Sequence, residues 1–177
     1  MEALIMVDMQ NDFCSGGALA VPEGDAVIEP VNDLAREFQY VVATRDWHPP
    51  DHASFVTQGG PWPIHCVRDT FGAEIHDRID TSQIDAIVDA GRTPEMEGYS
   101  GFEDTDLERL LREHEVDTVH VAGLALDYCV KETALDAARA GFEVIVHLDA
   151  TRPVEARVGD GERAIADLRA GGVAVVD

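Results

Sequence analysis

Five side chains of this sequence are of types, and at spacings, that could carry chemistry: Asp8, Asp46, His48, His65 and Cys129. Cys129 lies near the start of a helical pattern, Asp127–Ala140, where unpaired backbone N–H groups and the helix dipole favour a thiolate, the nucleophilic form of cysteine. Asp46 and His48 stand two apart, so on an extended segment both side chains face the same way. With His65 they offer one carboxylate and two imidazoles, a donor set suited to Zn²⁺ or Fe²⁺ with positions left open for water or substrate. Each residue also has a plainer reading: Asp8 as a turn or cap residue, Cys129 as a small buried apolar side chain. What favours chemistry is convergence, because Asp8 ends the first apolar run, Asp46 follows the second and Cys129 follows the fourth.

Those runs are Ala3–Met9, Tyr40–Thr44, Ala86–Val88, Thr118–Ala125, Phe142–Leu148 and Val173–Val176. They are short, rich in Val and Ile, and several lack polar alternation, as parallel strands covered on both faces require. Between them, Asp25–Phe38, Thr105–His114, Asp127–Ala140 and Ala156–Ala170 carry apolar residues at helical spacing, with Gly141 and Gly171 as stop signals. The alternation predicts a layered α/β sheet with its ligand site beyond the carboxyl ends of the strands. Trp47–Phe71, rich in Pro, Gly, His and Trp, is too long for a passive connector and reads as a functional loop. Phe13, Trp62 and Tyr99 are aromatic residues in loop contexts that could wall a pocket for a planar ligand, with core packing a rival reading for Phe13. His52 and His76 could also be ligands but better suit surface or ligand-supporting roles, and His114, His120 and His147 suit structural ones. Cys14 and Cys66 read as small buried apolar residues.

The 177 residues suit one domain, 1–177, with no repeat or linker to divide it. A formal net charge of −22 opposes nucleic acid and anionic membrane surfaces as partners, while 45% hydrophobic residues suffice for a folded core. Lys131 is the only lysine, and an acidic, lysine-poor surface suits life in high salt, where screening relieves self-repulsion. Three cysteines without a CxxC pair point to reduced thiols, and the absence of a leader pattern or long apolar run to a cytoplasmic protein. A homo-oligomer is compatible with the sequence, which does not separate a core face from an interface face.

The stretches VDMQNDFC (Val7–Cys14), TRDWHPPDHASF (Thr44–Phe55), GGPWPIHCV (Gly59–Val67), YSGF (Tyr99–Phe102) and GLALDYCVKETALDA (Gly123–Ala137) resemble the nicotinamidases of the isochorismatase-like cysteine hydrolases. The match runs in order through most of the chain. The resemblance implies a three-layer α/β/α fold with a six-stranded parallel sheet, and hydrolysis of nicotinamide to nicotinate and ammonia. It assigns Asp8 as catalytic aspartate, Cys129 as nucleophile, and Asp46, His48 and His65 as ligands of a divalent metal, zinc foremost, with iron or manganese also suited. It also implies Phe13 and Trp62 as substrate contacts, beside which Tyr99 and Leu124 are further candidates, a cis peptide between Leu124 and Ala125, and an oxyanion hole from the N–H groups of Ala125 and Cys129.

One element of the resemblance is missing. The family's third catalytic residue is a lysine, and alignment backward from Tyr99 places Ala90 at its position. Arg92, beyond Gly91, has a longer planar head, and Lys131 points away from Cys129 along the helix, so neither is a direct substitute. The expectation is an amidohydrolase impaired by the lost cation. The intact remaining motifs favour a deliberate replacement; a natural member with altered catalysis also fits. Leu126 replaces a small polar residue common in the family's turn, which bears on fine substrate preference. The alternatives are another amidase or carbamoyl hydrolase of the superfamily, a catalytically silent metal-dependent pyridine-binding protein, and, least favoured by an Asp/His/His donor set, a structural zinc domain.

Overall fold

A computed structural model describes residues 1–177. Six strands, β1 (Glu2–Val7), β2 (Val41–Asp46), β3 (Ala86–Ala90), β4 (Thr118–Leu124), β5 (Glu143–Arg152) and β6 (Ala174–Val176), form one parallel sheet in the order β3-β2-β1-β4-β5-β6. The helices are α1 (Ile28–Ala35), α2 (Leu107–Glu113), α3 (Lys131–Arg139) and α4 (Asp160–Ala170). Central β1 shows why the apolar runs lack alternation. Ala3, Ile5 and Val7 pack toward a core shared with α2, α3 and α4, while Leu4 and Met6 pack toward a second core with α1 and the segments around Phe13 and Cys66. Both sheet faces are therefore covered, and strand carboxyl ends gather on one rim. No helix is long and apolar enough to cross a membrane.

The boundaries differ from the sequence reading where local geometry interrupts a pattern. A 3₁₀ turn, Gly24–Val27, precedes α1, and Gly159 at φ +86° delays α4 to Asp160. The pattern read as one helix from Asp127 is a π-helical turn, Leu126–Val130, followed by α3, so Cys129 sits in that turn and not in the first turn of an α-helix. β5 continues past Leu148 to Arg152 through a register shift opposite Val121–Gly123, because Ala150 and Thr151 are again buried after the charged Asp149.

At the opposite end of the sheet from that rim, the His120 and His147 rings stack with Nδ1 of one 2.8 Å from Nε2 of the other, and Glu2 Oε2 lies 3.4 Å from His120 Nε2. Such a contact holds one proton, not two. Burial and then the charge of His120 push His147 below its ordinary value, with Asp149 and Glu37 pulling the other way. A depressed imidazole binds fewer protons folded than unfolded, so its stabilising contribution is complete above the unfolded value of 6.5 and is lost as pH falls through the folded one. Urea unfolding midpoints are expected to fall between pH 7 and 5 more for this chain than for a His147→Gln variant. Equal acid sensitivity would remove the pair as the cause.

Candidate active site

Asp8 follows β1 with φ +47°, which turns its side chain back toward β2. Its backbone N–H donates to Thr44 O (3.2 Å), and Thr44 Oγ1 donates to its Oδ1 (2.6 Å). Asp46, at the end of β2, is held by Gln10, which is wholly buried. Gln10 Nε2 donates to Asp46 O and to Ala73 O (2.8 Å each), and Asp46 N–H donates to Gln10 Oε1 (2.9 Å). The loop after β2 closes on itself through parallel bridges His48–Val67 and Phe55–Trp62, bringing His65 back to His48.

Both ligand-type imidazoles are oriented through Nδ1. His48 Nδ1 lies 2.9 Å from Gly91 O, and His65 Nδ1 lies 2.7 Å from Pro63 O. Because a carbonyl only accepts, each Nδ1 carries the proton and each Nε2 is free to coordinate. Those Nε2 atoms stand 3.2 Å (His48) and 3.7 Å (His65) from Asp46 Oδ2, all buried. Two lone pairs facing a carboxylate oxygen require a proton or a cation among them. Asp46 Oδ1, buried and without a hydrogen-bond partner, is a further open donor. The residues therefore fit a divalent metal. Burial alone would raise the Asp46 carboxyl, but the charge and hydrogen bond of His48, with those of His65, hold it well below the usual carboxylate range. His52 is no surface residue: it is buried, stacks on His48 at 3.8 Å and is pushed down to about 4 by burial and the charge of His48.

Gly91 gives this arrangement a test. A Cβ there would lie 2.5 Å from His48 Cε1 and 2.6 Å from its Nδ1, at a backbone φ of +61°. Gly91→Ala is expected to displace the ring and its carbonyl partner and to weaken zinc binding by about 10- to 100-fold, read by competition with a chromogenic chelator. Undiminished affinity in a folded variant would show that the Gly91 contact does not set the ligand.

Cys129 is presented by the Leu124–Ala125 cis peptide and the π turn, and one ligand-type atom each from Cys129, Asp8 and Asp46 lies within 4.8 Å of the others. Burial, then the charges of Asp8 and Asp46, push the thiol well above its ordinary value. Burial and the charge of Asp46 push Asp8 up to about 8, against the hydrogen bonds of Thr44 and Cys129. Both shifts favour the protonated forms. No basic side chain relieves them: Ala90, in register with Asp46, ends β3 in a methyl group. Arg92 donates to Asp104 O (2.8 Å), and Lys131 pairs with Glu132 (3.2 Å) on the far side of its helix.

Phe13, Trp62, Tyr99, Ala125 and Cys129 line a small apolar cavity that also reaches Asp46 and His65. Trp62 Nε1 donates to Tyr99 OH (2.8 Å), and the Phe13 ring lies 5.8 Å from that of His65. Leu124 is a correction: its side chain is buried in the core on the α1 face, with Gly24 nearby, and is not on the cavity wall. The sequence reading did not single out Tyr128, Leu19, Val21 and Val154 on the wall, nor Gln10 and Thr44 behind the carboxylates. Gln10 and Thr44 did lie within the quoted stretches; the wall residues Leu19, Val21 and Val154 carried no polar signal at all.

An isochorismatase domain model matches residues 2–177. The nicotinamidase of Escherichia coli is 40% identical over 195 residues, covering 96% of this chain and 92% of that protein. A pyrazinamidase structure from Pyrococcus horikoshii in complex with zinc superposes with a TM-score of 0.93 at 47% identity, over 99% of this chain and 98% of that one. The PnC1 structure from L. infantum in complex with nicotinate gives a TM-score of 0.95 at 38% identity, over 100% and 92%.

Proposed function

Because the chain belongs to the isochorismatase family, we propose that its site is built for hydrolysis of nicotinamide to nicotinate and ammonia, as one domain across residues 1–177, with turnover held low by Ala90. The observation that carries this reading is the meeting of the Cys129–Asp8 pair with the Asp46, His48 and His65 donors at one aromatic cavity. Asp8 takes the Cys129 proton as Sγ attacks the amide carbonyl carbon. The N–H groups of Ala125 and Cys129 face the oxygen that gains charge. The C–N bond breaks, Asp8 returns its proton to the leaving ammonia, and a thioester remains. Water then cleaves that thioester, its proton passing through Asp8 to the departing sulfur, and nicotinate is released. Phe13, Trp62 and Tyr99 hold the pyridine ring. Asp46, His48 and His65 would hold a divalent ion, zinc in preference to iron or manganese, which supplies Lewis-acid polarisation when bound.

The acidic, lysine-poor composition supports a cytoplasm of high salt as the setting. Ala90 also favours a second reading, a pyridine-binding protein without turnover. Calorimetry of nicotinamide and nicotinate into zinc-loaded protein, beside nicotinate formation by the chain and its Ala90→Lys variant, tests both. Binding with turnover gained in the variant supports the hydrolase. Binding with turnover in neither supports the silent binder, and no binding of either ligand overturns the pocket.

A further inference from the structure

Asp127 is a buried carboxylate in the π turn, two residues before Cys129, that the proposed reaction does not use. Its Oδ1 accepts from the Val154 N–H (2.8 Å) and its Oδ2 from the Glu155 N–H (3.0 Å). Charge-assisted bonds from two successive backbone groups tie the segment after β5 to the turn that presents the nucleophile. That segment is also closed on itself. Glu155 stands at φ +55°, and its carboxylate accepts from the N–H groups of Gly159 (2.9 Å) and Gly161 (2.7 Å) at the start of α4. A Cβ on Gly161 would lie 2.9 Å from Glu155 Oε1 and 3.1 Å from Pro153 Cγ, so the first turn of α4 backs directly onto this strap. Between Pro153 and Glu155, Val154 lines the catalytic cavity with Cys129 and packs against the apolar cluster that contains Phe13, Val21 and Ala125.

The cavity encloses only about 40 Å³, whereas an apolar cavity of roughly 150 Å³ takes up one benzene molecule. A bound ring therefore presses on the walls, and the stiffness of each wall decides which substituents are admitted. We infer that Val154 is a specificity-determining residue of this cavity and Asp127 the positioning residue that stiffens it, confining the site to heteroaromatic carboxamides that carry no carbon substituent on the ring edge meeting Val154. Leu19 and Val21 form another part of the wall, but their N–H groups donate to the Asp12 and Phe13 carbonyls (2.9 and 3.0 Å), so their placement does not depend on Asp127. The strap is the wall that one carboxylate controls, and that carboxylate shares its turn with the nucleophile. The inference rests on the nicotinamide reading of the cavity, but its test reads binding and needs no turnover.

Calorimetry of the zinc-loaded chain is carried out with nicotinamide and with the four isomeric C-methylnicotinamides. The native chain should bind nicotinamide and disfavour at least one isomer by about 10- to 200-fold, the range one such carbon commands in a fitted pocket. Val154→Ala should recover about 10-fold of the affinity for that isomer, with nicotinamide affected less. Asp127→Asn, which offers one acceptor where the carboxylate offers two, should relax the exclusion of the same isomer. Val158→Ala, at the exposed tip of the strap, should leave the ratio unchanged. Equal affinity for all isomers in the native chain, or an exclusion that survives Val154→Ala, overturns the assignment of Val154. An Asp127→Asn variant that weakens every ligand alike assigns Asp127 a structural role only and overturns its positioning role. Val154→Ala removes no hydrogen bond and decides the inference even where Asp127→Asn does not fold. No binding of nicotinamide or of any isomer overturns the pocket reading and this inference with it, whereas nicotinamide binding without discrimination among the isomers overturns this inference alone.

Discussion

Replacing Ala90 with lysine is expected to raise nicotinate formation by about 10²- to 10⁴-fold, the range a positioned acid–base group contributes. Residue 90 is in register with Asp46, and Asp46 shares its face of β2 with Thr44, whose hydroxyl already reaches Asp8. A lysine from that strand end would point at the Asp8–Cys129 pair, whose protonated forms burial now favours. An ammonium there favours the charged forms of both groups, lowering Asp8 from about 8 and drawing the thiol down from its raised value. The pH profile therefore carries a second signature. Asp8 accepts a proton only when ionised, so kcat/KM of the native chain should climb with pH toward about 8. In the lysine variant the same acid limb should lie at lower pH. An unchanged rate with an unchanged profile, in a variant that still binds zinc and nicotinamide, would mean that the missing cation is not what limits the chemistry.

Gly123→Ala is expected to be the most damaging single methyl addition. Gly123 pairs with Val7 where β4 and β1 run side by side into the site, at φ +119°, and an added Cβ would collide with the Val7 carbonyl oxygen and lie 2.8 Å from its nitrogen. The three nearest atoms are all Val7 backbone, so nothing flexible is there to yield. Strain of about 1–3 kcal/mol for the dihedral, plus displacement of a central strand pair, brings the loss to about 3–5 kcal/mol, a large part of a domain's ordinary 5–15 kcal/mol. Gly141→Ala separates the two contributions, because Gly141 has φ +90° and nothing within 4 Å of an added Cβ. Urea denaturation should show the Gly141 variant losing only the dihedral part. Similar losses in both would assign the whole effect to backbone conformation.

The sheet was legible because β1 and β4 are buried on both faces, so their composition carries the signal without alternation. The cluster of Asp46, His48 and His65 was legible for a different reason. Asp46 and His48 share an extended segment, and the Pro- and Gly-rich loop that returns His65 was too long to be idle. What escaped has no local signature. Gln10 reads as any polar residue until its carboxamide is seen bridging Asp46 and Ala73, and Thr44 looks like one more β-branched strand residue. Leu124 was misplaced because adjacency to the turn before Cys129 says nothing about which side of the sheet a side chain takes. The π turn escaped since its residues keep helical spacing while its hydrogen-bond ladder does not.

At the end of β3 two consecutive residues face two different tasks. The side chain of residue 90 lies on the face that carries Asp46 and Thr44, while the carbonyl of residue 91 holds His48. A change of side chain at 90 therefore leaves the backbone that steadies His48 untouched. If residue 90 sets the rate as proposed, turnover and recognition could be inherited separately, the one changing at a single position while the pocket keeps its shape. That separability would let such a fold pass between enzyme and sensor without ever losing its ligand.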